Sequence, residues 1–419
     1  MIVRWVLRKI LLLLLLIILI KFILIFKYKI NFSLEHRERK YFSKLNYFLG
    51  EIQKQETTIV NTELNTNLTE ANIFKKVREE EYEVKTDYLL SKKKKLILIY
   101  TPLFGNIPWP HVPYDYNFTE LDQSPCHVNH CELTYNKKEI MLSNAVLFHA
   151  RDLPHEQVLR EIRKNPEQIW IWLMNESPKF TYLNLSLYNG LFNWTATYRT
   201  DSEIFLPYYG IRQLVEPTGK IKNFAEGKDK KILYITSHCD DTRINFVRNL
   251  KKYISVDVYG ACAKLFQKET KDCKKNTLSC EELKRRYKFV LAYENSFCID
   301  YVTEKYYENG LLSGILPIVA GGANYSKEKI AISGSFINIH DYKNTRDLAS
   351  YLNYLDMNDE SYNKYFQWKT YYKVELEMAL CKVCKALWED RPETTIDLEK
   401  FWSVKNTCIN EADQMKNFY

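Results

Sequence analysis

Three short stretches carry residue types that could bind or move charge. Between Lys288 and Gly322, the residues Asn295, Tyr301, Glu304 and Lys305 fall within eleven positions, offering an amide, a phenol, a carboxylate and an ammonium. A second stretch, Ser237-His238-Cys239-Asp240-Asp241-Thr242-Arg243, places an arginine near the start of a helical run. An arginine there opposes the helix dipole unless an anion offsets it. Together Arg243, Lys305 and free N–H groups at helix starts suit phosphate oxygens. The third stretch is Asn175-Glu176-Ser177-Pro178, a carboxylate just past the apolar run Ile169–Leu173. Within hydrogen-bond reach, such a carboxylate can take the proton of a poor alcohol nucleophile as it attacks. Each stretch also has a plain reading, as a helix cap, a surface charge or an ordinary crossover turn.

These groups need elements to hold them. Phe289 to Tyr293 is an apolar run of strand length. Asp300 or Thr303 could cap a following helix that runs to about Ser313 and stops at Gly314. Ile315 to Ala320 is the next strand, ending in Gly321-Gly322. Strand, turn, helix and strand form the unit of a parallel sheet, whose ligands bind beyond the strands' carboxyl ends. Lys231 to Thr236 and Ser255 to Gly260 repeat the pattern with the Ser237–Arg243 turn between them. Leu96 to Tyr100, Ala145 to His149 and Ile169 to Leu173 are strand candidates of an earlier layer, with Glu156 to Lys164 helical. Phe336 to Ile339 and Asp341 to Leu355 extend the later one. Strands alternating with helices imply an α/β class. The expected division is 1–9 cytosolic tail, 10–29 transmembrane helix, 30–94 polar stem, 95–215 first α/β domain, 216–230 linker, 231–374 second α/β domain and 375–419 tail.

The formal net charge is +8, but the lysines are dispersed and many flank the first apolar segment, so no nucleic-acid site is expected. Ile10 to Phe26 is apolar apart from Lys21 and shows no small-residue cleavage site after it, which reads as a signal-anchor. Six sequons, at Asn31, Asn67, Asn117, Asn184, Asn193 and Asn324, together with ten cysteines, point to the secretory pathway and a luminal bulk. Cys381-x-x-Cys384 alone could be half a zinc site. The other close pair, Cys126 and Cys131, lacks that spacing.

The string Tyr293-Glu-Asn-Ser, Asp300-Tyr-Val-Thr-Glu-Lys305 and Pro317-Ile-Val-Ala-Gly-Gly322 resembles the signature of the α-1,3-fucosyltransferases, glycosyltransferase family 10. So do Trp172-Leu-Met-Asn-Glu-Ser-Pro178, the stretch Leu191-Phe-Asn to Ser202, and Leu206-Pro-Tyr208. The resemblance covers about Leu96 to Cys384. It implies a GT-B architecture, two Rossmann-like domains facing a cleft. It implies transfer of L-fucose from GDP-β-L-fucose to the 3-hydroxyl of an N-acetylglucosamine, with Glu176 as general base. Tyr208, Ser237, Arg243, Asn295, Tyr301, Glu304 and Lys305 would form the donor site, with Glu304 on the ribose. His238 stands where the family has Asn. His149-Ala-Arg151-Asp152 would be structural or acceptor-side. The C-x-x-C would bridge to the first domain, so that Cys126 and Cys131 pair with Cys381 and Cys384 in either order. The implied location is a single-pass type II Golgi membrane protein. No D-x-D occurs; a metal is not required, though a divalent cation could stimulate. A homodimer stays open. So do two rival functions: a transferase of this fold using another nucleotide sugar, and a non-catalytic, membrane-anchored glycan-binding protein.

Overall fold

The computed structural model describes residues 93–418 apart from 220–221, 267–272, 275–276 and 392–393. The expected transmembrane helix, nearly all of the stem, and the sequons at Asn31 and Asn67 lie outside the described residues. Among the described residues no helix is long and apolar enough to cross a membrane.

The first layer is a six-stranded parallel sheet built from β1 (Lys95–Ile99), β2 (Cys131–Thr134), β3 (Ala145–His149), β4 (Ile169–Met174), β5 (Trp194–Thr197) and β6 (Ile204–Phe205), in the order β2-β1-β3-β4-β5-β6. Alternate side chains feed two cores. Ile97, Ile99, Leu147, Ile171 and Leu173 face one, and Leu98, Phe148, Trp170, Trp172 and Met174 the other. That two-residue period on strands buried on both faces is why they read as continuous apolar runs.

The second layer is a five-stranded parallel sheet of β8 (Lys230–Ile235), β9 (Val256–Tyr259), β10 (Tyr287–Tyr293), β11 (Leu316–Ala320) and β12 (Ile337–Asn338), ordered β12-β11-β10-β8-β9. The order reverses between β8 and β10, the position at which open α/β sheets open a crevice for ligands. Between the layers, β7 (Gly210–Gln213) pairs antiparallel with β13 (Tyr372–Glu375). Tyr209 and Ile211 thereby pack with second-layer residues such as Val319 and Trp368.

The carboxyl-terminal segment does more than return to the first layer. Its helix Ala379–Leu387 buries Leu380, Val383 and Ala386 in the first layer's core. Trp402 packs edge-on against Trp172. The chain then crosses back, burying Met415 and Phe418 in the second layer. All ten cysteines are paired: Cys126–Cys381, Cys131–Cys384, Cys239–Cys262, Cys273–Cys280 and Cys298–Cys408. The stretch from Ala263 to Cys280, read from sequence as a loop, ends in a helix, Leu278–Arg285, closed by Thr277 as N-cap.

Candidate functional site

The second layer supplies a wall of paired charges, with Arg243 and Lys305 each held by carboxylates. β8 ends at Ile235, and Asp240 caps the helix Asp241–Leu250 by accepting from the Arg243 amide at 3.0 Å. The same carboxylate holds Arg243 Nε at 2.6 Å, while the guanidinium is buried over the Tyr293 ring. β10 runs into Glu294, which is wholly buried. Glu294 accepts from the Thr303 amide at 2.8 Å and from its hydroxyl. Thr303 in turn caps the short helix Glu304–Tyr306, which widens into a π-helical turn at Tyr307–Leu312 and ends before Gly314 at φ +65°. Asp300 does not cap it. Its backbone is left-handed, φ +59°, and its carboxylate accepts from Thr200 of the first layer and from Lys327 of its own layer.

Lys305 lies at the centre of this wall. Its ammonium is 3.2 Å from Glu294 and 3.1 Å from Glu304 and donates to the Thr303 hydroxyl at 2.9 Å. Burial pushes Lys305 toward losing its proton, but the two carboxylates outweigh it and hold the ammonium well above its ordinary value. Burial also raises Glu304, and Lys305 reverses this, keeping Glu304 ionised. Burial dominates at Glu294, which is raised. Gly322 lies against this turn so closely that a Cβ there would meet the Phe297 carbonyl carbon at 2.4 Å. Only glycine fits beneath the turn.

A cavity of about 310 Å³ opens on this wall and brings together Ser237, Arg243, Asn295, Glu304 and Lys305. The buried Oδ1 of Asn295 has no hydrogen-bond partner there. Arg243 and Lys305 bring two positive charges to this cavity that can offset a diphosphate; Lys305, whose three protons already have partners, would exchange one of them to do so.

The first layer supplies the opposite wall. β4 ends at Met174, and Glu176 follows, with the Tyr301 hydroxyl donating to its Oε2 at 3.4 Å. The adjacent Ser177 hydroxyl meets that of Ser296 at 2.6 Å, so the two turns are stitched directly to each other. Phe180 stands edge-on to His238, at 5.4 Å between ring centres. Burial raises Glu176 above the usual carboxylate range; Glu304 adds to the rise, while Lys305 and Arg151 oppose it. Glu176 thus lies near enough to the opposite wall to feel the charges of Glu304 and Lys305, although it is not among the residues that line the cavity.

Tyr208 and Tyr301 do not line the cavity. Tyr208 donates to the Asn175 carbonyl at 2.9 Å, and its ring stands edge-on to Tyr301. Both support the Glu176 turn from below. Asp152 accepts from the Phe104 and Gly105 amides and from His149 at 2.5 Å, a structural use of that cluster. Asn117, Asn184 and Asn324 are exposed. Asn193 is corrected: it is buried, its Oδ1 accepts from the Trp170 amide and Arg163, and its Nδ2, the atom a glycan would take, faces the Thr394 carbonyl rather than solvent. Sequence pattern did not single out Glu294, Thr303 or Ser296 as site residues, although all lie inside the motif stretch. The Cys298–Cys408 bridge had no sequence signal at all.

Two family models match: "Fucosyltransferase, N-terminal" over residues 92–209 and "Glycosyltransferase family 10 (fucosyltransferase) C-term" over residues 225–402. The chain belongs to glycosyltransferase family 10, the fucosyltransferases. It is 34% identical over 344 residues to glycoprotein 3-alpha-L-fucosyltransferase A of Drosophila melanogaster, covering 77% of this chain and 63% of that protein. It is 34% identical over 248 residues to alpha-(1,3)-fucosyltransferase 4 of Homo sapiens, covering 57% of this chain and 46% of that protein. With alpha-(1,3)-fucosyltransferase fut-5 of Caenorhabditis elegans it is 31% identical, over 76% of this chain and 86% of that protein. The match therefore spans between about half and two thirds of the length of the first two relatives. Glu176 falls in the first family segment, and Arg243 and Lys305 fall in the second.

Proposed function

We propose that the chain is an inverting GT-B α-1,3-fucosyltransferase that moves L-fucose from GDP-β-L-fucose to the 3-hydroxyl of an N-acetylglucosamine in glycoprotein or glycolipid glycans. The observation that carries this is proximity: Glu176, bonded by Tyr301, lies near enough to Glu304 and Lys305 to feel their charges, and its neighbour Ser177 is bonded to Ser296 of the opposite turn. The acceptor oxygen attacks the anomeric carbon of fucose, and its proton passes to a Glu176 carboxylate oxygen. The bond from that carbon to the phosphate oxygen breaks, and GDP leaves with the electron pair. Arg243 and Lys305 stabilise the charge that builds on the departing diphosphate, as fixed charges in a dry site do. Glu304, kept ionised by Lys305, accepts from the ribose hydroxyls. Asn295, whose Oδ1 lacks a partner, takes a further donor contact. The tyrosine pair Tyr208 and Tyr301 sets the orientation of the base. With cations already fixed in the pocket, a divalent ion would stimulate rather than be required.

Five disulfides among the described residues, with exposed sequons at Asn117, Asn184 and Asn324, support a luminal catalytic part. The apolar segment 10–29 would anchor it in the Golgi membrane. Purified protein supplied with GDP-fucose, and in parallel with other nucleotide sugars, over a panel of defined acceptors tests the reading. Transfer of fucose alone to N-acetylglucosamine-containing acceptors is expected. Transfer from a different donor, or binding without transfer, would replace it.

A further inference from the structure

The cavity continues past the diphosphate-binding residues. Beyond Glu304 its lining runs one helical turn on to Glu308 and Asn309, about 6 Å further along the axis. Ile235, the Cys273–Cys280 bridge and Lys284 line the same cavity. Lys284 is unusual. It stands near the end of the eight-residue helix Leu278–Arg285, yet its side chain is only 4% exposed. Its ion-pair partner Glu281, at 2.9 Å, is 41% exposed. Burying an ammonium costs free energy that a half-solvated carboxylate only partly returns. Neither Lys284 nor Asn309 enters the chemistry described above.

The diphosphate lies on Arg243 and Lys305, and the sugar must point at Glu176. The nucleoside therefore runs the other way, along the helix toward Asn309 and Lys284. We propose that Lys284 and Asn309 are the residues that read the nucleobase, selecting a 6-oxopurine. This rests on the donor reading above and adds the part of the donor that gives it selectivity. A lysine ammonium carries only donors, so it favours the 6-oxo acceptor of guanine and is mismatched to the 6-amino group of adenine. The Asn309 amide oxygen and the Glu308 carboxylate offer acceptors to the N1–H and 2-amino group. Glu308 is held in place by the Tyr209 hydroxyl at 3.1 Å. Ile235 and the disulfide supply apolar surface of the kind that packs against a ring.

The test is calorimetric binding of GDP, ADP and inorganic pyrophosphate to the full chain, to Lys284→Met and to Asn309→Ala, with thermal melting as the check of folding. Lys284→Met keeps the side chain's length and removes its donors. GDP affinity is expected to fall roughly tenfold to a hundredfold, with ADP and pyrophosphate unchanged, so the GDP preference collapses. Asn309→Ala, on the facing helix, is expected to narrow the same GDP-to-ADP ratio by a smaller factor, and carries the test alone should Lys284→Met not fold. An unchanged ratio in the folded variants would overturn the assignment. An equal loss for all three ligands would also overturn it, making Lys284 a phosphate or scaffold residue. Failure of the unsubstituted chain to bind GDP would instead refute the donor reading itself, so the two failures are distinct.

Discussion

Replacing Lys305 with methionine separates the structural from the catalytic use of its charge. Lys305 Nζ lies 3.2 Å from Glu294, a carboxylate with no solvent exposure, and its own side chain is 19% exposed. At that distance, with an effective dielectric of about 20, the attraction is about 5 kcal/mol. Removing one member of a buried pair strands the other charge, at a cost of about 3–5 kcal/mol. Glu304 adds less, because its side chain is 36% exposed and partly screened. Lys305→Met should therefore lose about 3–5 kcal/mol of unfolding free energy at neutral pH.

The loss must depend on pH in a particular direction. Burial already raises Glu294, and without Lys305 it rises further. A carboxyl whose folded value lies above its unfolded value binds more protons in the native state, so stability falls as pH rises through that window. The penalty is full above the raised value and shrinks as the pH falls toward the ordinary carboxylate range. The double variant Lys305→Met with Glu294→Gln leaves only the partly solvated Glu304 without its partner and should recover most of the loss. Denaturant unfolding at several pH values measures this. A deficit that is equal at all pH values, or one not relieved by Glu294→Gln, would refute the paired-charge account.

Three other consequences can be checked. Burial and then Glu304 raise Glu176, and as the proposed base it must be ionised to act, so the rate should climb with pH through a value above the usual carboxylate range; a pH–rate profile with no acid limb there would contradict it. Gly322→Ala must push the turn at Phe297 outward, because its Cβ would fall 2.4 Å from the carbonyl carbon; GDP affinity should drop by roughly fivefold to a hundredfold in calorimetry, on the scale of about 1–3 kcal/mol for overpacking. Cys298→Ser with Cys408→Ser should cost about 2–5 kcal/mol in thermal or denaturant unfolding, because the bridge closes a separation of 110 residues.

The sheets were legible because their strands are buried on both faces and therefore read as apolar runs, as in Ile169–Met174 and Tyr287–Tyr293. β5, Trp194-Thr-Ala-Thr197, was not legible by that rule. Thr195 and Thr197 are buried with their hydroxyls bonded to Glu203 and Ser202, so the strand carries no apolar signature. The π-helical turn after Tyr306 leaves no mark in composition. Of the site, the charged residues showed in the sequence, but their partners did not. Glu294 reads as a turn residue until its burial beside Lys305 is seen. The cross-lobe contacts Ser177–Ser296 and Thr200–Asp300 join residues about a hundred positions apart, and the strap through Cys408 and Ile409 lies about as far from the Phe297–Ile299 backbone it pairs with. Long-range pairing of this kind has no local period to betray it.

The central claim is that a lone carboxylate on one wall deprotonates an alcohol while cations on the other hold the diphosphate. Glu176→Gln, which keeps the shape and removes the base, tests it most directly when fucose transfer and GDP binding are measured on the same preparation. The account predicts a fall in turnover of about 10²–10⁴-fold with GDP affinity retained. Near-normal turnover in that variant would contradict it.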